Sequence, residues 1–122
     1  MGYSIAEVAE KTHLTAHTLR YYEKEGLLPF VDRSNSGNRD FKDKDLDWLE
    51  LICCLKNTGM PIKKIKEYIS LCLKGDDTIE IRRKIFLTHR EEVIEQIAEL
   101  RKNLDKINYK INYYDSACKK SM

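Results

Sequence analysis

Residues 15 to 29 read Thr-Ala-His-Thr-Leu-Arg-Tyr-Tyr-Glu-Lys-Glu-Gly-Leu-Leu-Pro. At about 100° per residue around a helix, His17, Arg20, Tyr21 and Lys24 share one side and Leu19 and Tyr22 the other. One face is basic and aromatic, the opposite face apolar. Arg20 and Lys24 suit phosphates or guanine edges, and Tyr21 can donate to a phosphate. His17 and Thr18 lie near the helix N-terminus, the end from which recognition helices contact bases. Charge on an exposed helix face is ordinarily solvated surface, so the weight falls on the elements around it.

The second candidate chemistry is thiol chemistry. Cys53, Cys54, Cys72 and Cys118 form no Cys-x-x-Cys pair and no zinc spacing. On a helix through this region, Cys53 points toward Leu46 and Leu49 and reads as a buried, inert core residue. Cys54 falls on the polar face with Asp47, Glu50 and Thr58, where a reagent can reach it. Its acidic neighbours and its place near the helix C-terminus both favour the neutral thiol. A reactive Cys54 therefore needs a positive group or another helix's N-terminus brought to it by the fold. Cys72 shares a face with Ile65 and Tyr68 and reads as core; Cys118 reads as packing. There is no glycine-rich phosphate loop, no carboxylate cluster and no nucleophile-base motif. His13, His17 and His89 are scattered, with His13 expected on the surface of the first turn. An enzyme is not expected, nor a cofactor.

The elements that position these residues start at Ser4-Ile5-Ala6-Glu7, which reads as a capping box. Ile5, Val8 and Ala9 give that helix an apolar side. The next helix starts after Thr15, an N-cap, and stops at Gly26. Two short helices joined by a tight turn make a helix-turn-helix. Leu27 to Val31 read as extended, Ser34-Asn35-Ser36-Gly37-Asn38 as a turn, and Phe41 closes the far side, together a two-stranded wing. Asp43 is expected to cap a helix through about Thr58. Gly59 ends it, Pro61 opens another helix to about Leu73, and Gly75 breaks that one.

The last element begins after Asp77 or Thr78 and holds no Gly or Pro through Met122. Val93, Ile97, Leu100, Leu104, Ile107, Ile111, Tyr114 and Cys118 recur at alternating steps of four and three, a heptad seam. Backward, it meets Arg90, a polar break, and then Phe86. A helix of ~40 residues is ~60 Å long, more than the N-terminal domain can cover. The expected partner over residues 86–118 is the same helix of a second copy. The domains expected are 1–74 and 77–120.

Bulk composition bounds the rest. The chain has 122 residues, 34% charged and 42% hydrophobic, enough for one small globular domain plus an extension. The net charge is only +2, and residues 1–73 hold 11 basic and 11 acidic side chains. A nucleic-acid-binding field must come from local placement of charge. No apolar run approaches the ~18 residues of a membrane span, and no secretion signal opens the chain. A cytoplasmic location, with reduced cysteines, is expected.

Thr18-Leu19-Arg20-Tyr21-Tyr22-Glu23, then Gly26-Leu27-Leu28-Pro29, then Arg33 and Gly37-Asn38-Arg39-Asp40-Phe41 resemble the signature of the MerR family of transcription regulators. The order of two helices, wing, two helices and a long terminal helix matches as well. The resemblance covers essentially the whole chain. It implies an all-α fold with a small β wing: a winged helix-turn-helix followed by a long dimerisation helix in an antiparallel coiled coil. It places Arg20, Tyr21 and Arg39 among the DNA contacts. The full candidate DNA-binding set is Tyr3, Thr15, His17, Thr18, Arg20, Tyr21, Lys24, Arg33, Asn38 and Arg39. Asn38 departs from the family, which usually has an aromatic residue there. The resemblance also implies a mechanism. The homodimer sits on double-stranded promoter DNA and, when activated, bends and untwists it so that both promoter elements face RNA polymerase. Such deformation costs on the order of 1–10 kcal/mol.

Three readings of the signal follow. Asp45 to Met60 resemble the aldehyde- and thiol-stress-responsive subgroup, whose single sensor cysteine falls on Cys54. A metal-responsive regulator is the alternative. In that branch a cysteine opens the dimer helix and a cysteine pair closes it; here Asp76-Asp77-Thr78 stand at the start and Cys118 stands alone, so one chain builds no thiolate metal site. Cys72, His89 and Cys118 would have to meet across a dimer. The third reading is a coiled-coil interaction protein that does not bind DNA; specific, salt-dependent promoter binding separates it from the other two.

Overall fold

The computed structural model describes residues 2–33, 37 and 39–121. The elements run α1 (Ile5–Thr12), α2 (Ala16–Lys24), β1 (Asp32–Arg33), β2 (Arg39–Asp40), α3 (Asp43–Asn57), α4 (Ile62–Lys74), a 3-10 turn (Asp76–Thr78) and α5 (Ile79–Ser121). The chain divides into two compact units, residues 1–82 and 83–122.

In the first unit, local chemistry sets most helix ends. Ser4 Oγ accepts from the Glu7 amide at 3.2 Å and Glu7 Oε1 accepts from the Ser4 amide at 2.9 Å, a reciprocal capping box. His13 then takes a left-handed conformation, φ 59°, and turns the chain into α2. Gly26, at φ 78°, ends α2 where a β-carbon would be strained.

The wing is smaller than the residue pattern suggests. Leu27 to Val31 do not form a strand. The Val31 amide donates to the Leu28 carbonyl at 3.4 Å, so Pro29 and Phe30 make a turn. Pro29 has no amide to give a ladder, and Leu27 and Leu28 are drawn inward as buried core. Among the described residues, the antiparallel ladder pairs Asp32 with Asp40 and Arg33 with Arg39. Tyr3 extends it by an isolated antiparallel bridge to Phe41, with amide-carbonyl bonds of 2.6 and 3.0 Å.

Asp43 is not the cap of α3. Lys42 holds the N-cap position, and its amide donates to Asp45 Oδ2 at 2.8 Å. Asp45 is accordingly buried at 2% exposure, while Asp43 is a residue of the first turn. Pro61 caps α4, and Gly75 at φ 97° closes it.

Val8, Leu19, Tyr22, Leu27, Phe41, Leu49, Ile52, Leu55, Ile65 and Ile69 make the core of this unit. It takes one apolar face from each of α1 to α4. Phe30 meets Trp48 edge-on at 4.9 Å between centroids, and Trp48 stacks on Tyr68 at 5.8 Å. The unit reaches into the start of α5 because Arg82 turns back on it. Its guanidinium donates to Thr78 Oγ1 at 3.0 Å and to the Gly75 carbonyl at 3.1 Å, and it lies 3.8 Å from Cys72 Sγ.

The second unit is the remainder of α5, a helix 43 residues long in all and thus ~65 Å. Ile97, Leu100, Leu104, Ile107, Ile111 and Tyr114 of the heptad seam are all about half exposed or more in the single chain. No described helix is long and apolar enough to cross a membrane.

Candidate nucleic-acid interface

α2 carries the centre of the candidate surface. Leu19 and Tyr22 are buried, which turns His17, Arg20, Tyr21 and Lys24 outward, all four exposed. The apolar stripe therefore orients the basic one. Thr15 caps the helix: its Oγ1 accepts from the Thr18 amide at 3.0 Å, and its hydroxyl donates to Thr18 Oγ1 at 3.0 Å. Thr15 and Thr18 thus act on each other first, holding the N-terminal turn that presents His17.

Tyr21 lies 6.2 Å from Tyr22 between centroids, and Lys56 of α3 places its ammonium 5.9 Å from the Tyr21 ring and 5.2 Å from the Tyr22 ring. Such contacts strengthen when partly desolvated. Lys56 thereby joins the basic surface from a different helix. Glu25, at the end of α2, is tied to Lys66 of α4 at 3.0 Å. That hydrogen bond and charge, with a smaller contribution from Tyr21, hold its carboxyl below the usual range.

Tyr3, Arg33 and Arg39 are engaged within the fold. Tyr3 donates its hydroxyl to Asp43 Oδ1 at 2.8 Å, which pushes the phenol pKa up, and Lys11 sits 4.9 Å over its ring. Arg33 donates from Nη2 to Glu23 Oε1 at 2.8 Å and from Nη1 to the Gly37 carbonyl at 2.9 Å. Arg39 pairs through Nε with Glu23 Oε2. The Arg33 side chain stays 54% exposed and that of Arg39 23%. The structure thus brings Arg33 and Arg39 to α2 through Glu23, a residue absent from the candidate set. Asn38 lies outside the described residues.

The thiols sort by exposure. Cys54 is exposed on α3, and its backbone carbonyl accepts from the Thr58 hydroxyl at 2.7 Å. Cys53 is half-buried rather than sealed in the core. It lines a cavity of about 310 Å³ with Lys11, Thr12, Leu46 and Glu50, between α1 and α3. Burial pushes its thiol pKa up. Cys72 is also half-buried, its sulfur beside Arg82, and Cys118 is exposed in the single chain. Among the described residues, no three His, Cys, Asp or Glu side chains gather as a metal-binding group.

An exposed basic helix backed by a cap, a tight turn and a clasped wing is the geometry of a groove reader. Residues 3–72 match the MerR HTH family regulatory protein pattern, and residues 46–109 match the MerR DNA-binding pattern. The chain belongs to the MerR family. The MerR family is one of DNA-binding transcription regulators, not of enzymes. An uncharacterized HTH-type transcriptional regulator of Haemophilus influenzae is 51% identical over 96% of this chain and 87% of that protein. AdhR, an HTH-type transcriptional regulator of Bacillus subtilis, is 46% identical over 75% of this chain and 66% of its own length. The fold matches the crystal structure of HiNmlR, a MerR family regulator lacking the sensor domain, bound to promoter DNA. That match has a TM-score of 0.90 at 51% identity and covers 96% of this chain and 93% of that one. A MerR family transcriptional regulator from Bacillus thuringiensis matches with a TM-score of 0.84 at 47% identity, over 91% and 97% of the two chains.

Residue-type reasoning missed two parts of this MerR surface. Glu23 stands in the sequence only as part of the family signature, although an acid amid bases on a helix expected to meet phosphate is itself a signal. Lys56 carried no signal, because its approach to the tyrosine rings depends on how α3 packs on α2.

Proposed function

We propose that the protein is a homodimeric MerR-type regulator that binds promoter DNA, distorts it to activate transcription by RNA polymerase, and reads an electrophile through Cys54. The observation that carries the DNA-binding part is the match, across nearly the whole chain, to HiNmlR on promoter DNA. It coincides with a basic, aromatic α2 face turned outward by a buried apolar stripe. α2 enters the major groove, with His17, Thr18, Arg20, Tyr21 and Lys24 toward the duplex and Arg33 and Arg39 of the wing on the flanking backbone. Residues 1–74 form the reading domain, and residues 77–120 pair with the same helix of a second copy, antiparallel.

Cys54 is favoured as sensor because it is exposed while its neighbour Cys53 is half-buried with a thiol pushed up by burial. The 46% identity to AdhR is consistent with the stress-responsive subgroup that Asp45 to Met60 resemble. With an aldehyde, the Cys54 sulfur adds to the carbonyl carbon. The C=O π pair moves to oxygen, which takes up the thiol proton, giving a hemithioacetal. The modified dimer then favours the DNA-distorting conformation by a free energy comparable to the cost of distortion.

The test is transcription in vitro from the promoter upstream of this chain's own gene, with and without formaldehyde, for wild type and Cys54→Ser. Induction in wild type alone is the expected result. Equal induction in both proteins refutes the Cys54 assignment. Metal bound to the purified dimer, with induction by that metal alone, would move the signal to the metal-responsive branch.

A further inference from the structure

The wing contains an electrostatic conflict. Arg33 and Arg39 are register partners, directly opposite one another in the antiparallel ladder. Like charges facing each other across strands repel, and a two-stranded sheet has little of its own to resist them. Glu23 of α2 answers both. One carboxylate oxygen accepts from Arg33 at 2.8 Å and the other pairs with Arg39. The Glu23 and Arg39 side chains are about three-quarters buried, so the Arg39 pair is screened less than a surface pair. Arg33 also donates to the Gly37 carbonyl at 2.9 Å.

We infer that Glu23 is a positioning residue for DNA recognition. It sets the wing's orientation on the recognition helix so that both reach the duplex as one rigid reader. This rests on the DNA-binding reading above. Without the carboxylate, the two guanidinium groups repel, the ladder splays, and the wing must be ordered anew at each binding event.

The inference makes a prediction opposite in sign to simple charge counting. Glu23→Gln removes a negative charge beside the duplex, and by charge alone every DNA should bind more tightly. If Glu23 positions the wing, promoter DNA loses affinity while unrelated DNA does not.

The experiment measures anisotropy of the labelled promoter fragment and of a scrambled duplex of equal length, across a salt series. Glu10→Gln, on exposed α1, is the charge-matched control. Expected for Glu23→Gln is about tenfold weaker promoter binding and unchanged or tighter binding to the scrambled duplex, with a cooperative melt retained. Glu10→Gln should shift both duplexes by the same factor. Promoter affinity that stays equal, or rises in step with scrambled DNA, overturns the inference. Wild-type protein that shows no promoter preference sinks the DNA-binding reading itself; a preference kept by Glu23→Gln sinks this inference alone. If Glu23→Gln does not fold, Glu23→Asp keeps the charge but withdraws the carboxylate. The same split between duplexes, smaller in size, is then expected, and its absence overturns the inference.

Discussion

The proposed dimer seam permits the most quantitative test. Leu104 of α5 is 53% exposed in the single chain and Leu100 is 67% exposed. Fully burying a leucine side chain contributes ~1.5–3 kcal/mol, so covering the half that remains exposed contributes ~0.8–1.6 kcal/mol. A symmetric dimer carries the residue twice. Leu104→Ala therefore removes ~1–2 kcal/mol after crediting the alanine methyl, a dissociation constant raised about 5- to 30-fold. Alanine is a better helix former than leucine, so α5 should lose no helicity within the dimer. The assay is sedimentation equilibrium over a concentration series, with circular dichroism on the same samples. Lys102→Ala is the control: Lys102 makes only a 3.9 Å exposed pair with Glu99, a contact worth ~0–1 kcal/mol. Equal dissociation constants for Leu104→Ala and Lys102→Ala would refute the assignment of this seam as the dimer interface. The half-exposed row would then need another explanation.

Three further outcomes are expected. Thr15→Ala removes the Thr18 amide's cap and costs about 1 kcal/mol. For a domain this size that is a Tm lower by ~4–8 °C in a thermal melt, and an unchanged Tm would show the cap contributes nothing. Arg20→Ala weakens promoter binding by ~1–3 kcal/mol if it reads a base, or uniformly with a salt slope lower by ~1 if it meets a phosphate. No change in either quantity removes Arg20 from the interface. Glu7 and Glu25 both have depressed carboxyl pKa values, from the Ser4 hydrogen bonds and the Lys66 pair respectively. Their contribution is present above the unfolded value of about 4.3 and is lost as pH falls through the folded values. The Tm gap between wild type and Glu7→Gln/Glu25→Gln should thus exist at about pH 6 and shrink as pH falls below about 4; a gap independent of pH would contradict the linkage.

Most element boundaries were legible because the signals act within one helical turn. Ser4 with Glu7, Thr15 with Thr18, and glycines at 26, 59 and 75 each settle their own end of a helix without help from distant chain. The 3.5-residue seam and the lack of Gly or Pro announced α5 for the same reason. The start of α3 misled. Asp43 has the composition of a cap, but its carboxylate accepts from the Tyr3 hydroxyl, while Lys42 takes the N-cap position and its amide donates to the inward-packed Asp45. Leu27 to Val31 looked extended, but Pro29 cannot serve a ladder and the two leucines are drawn into the core.

The candidate surface divides the same way. That Arg20, Tyr21, Lys24 and His17 face outward follows from helical periodicity alone, since Leu19 and Tyr22 must be buried on the other side. That Arg33 and Arg39 converge on Glu23, that Lys56 stands over two tyrosine rings, and that Tyr3 donates to Asp43 depend on contacts ten to forty residues apart in the chain. Periodicity carries information over three or four residues, whereas these contacts are set by the angle at which α1, α2, α3 and the wing pack. The amino-acid order by itself determined which faces are apolar, where helices stop, and the family the chain belongs to. Only the tertiary structure decided that two wing arginines share one carboxylate, because two like charges face each other only once the strands have paired.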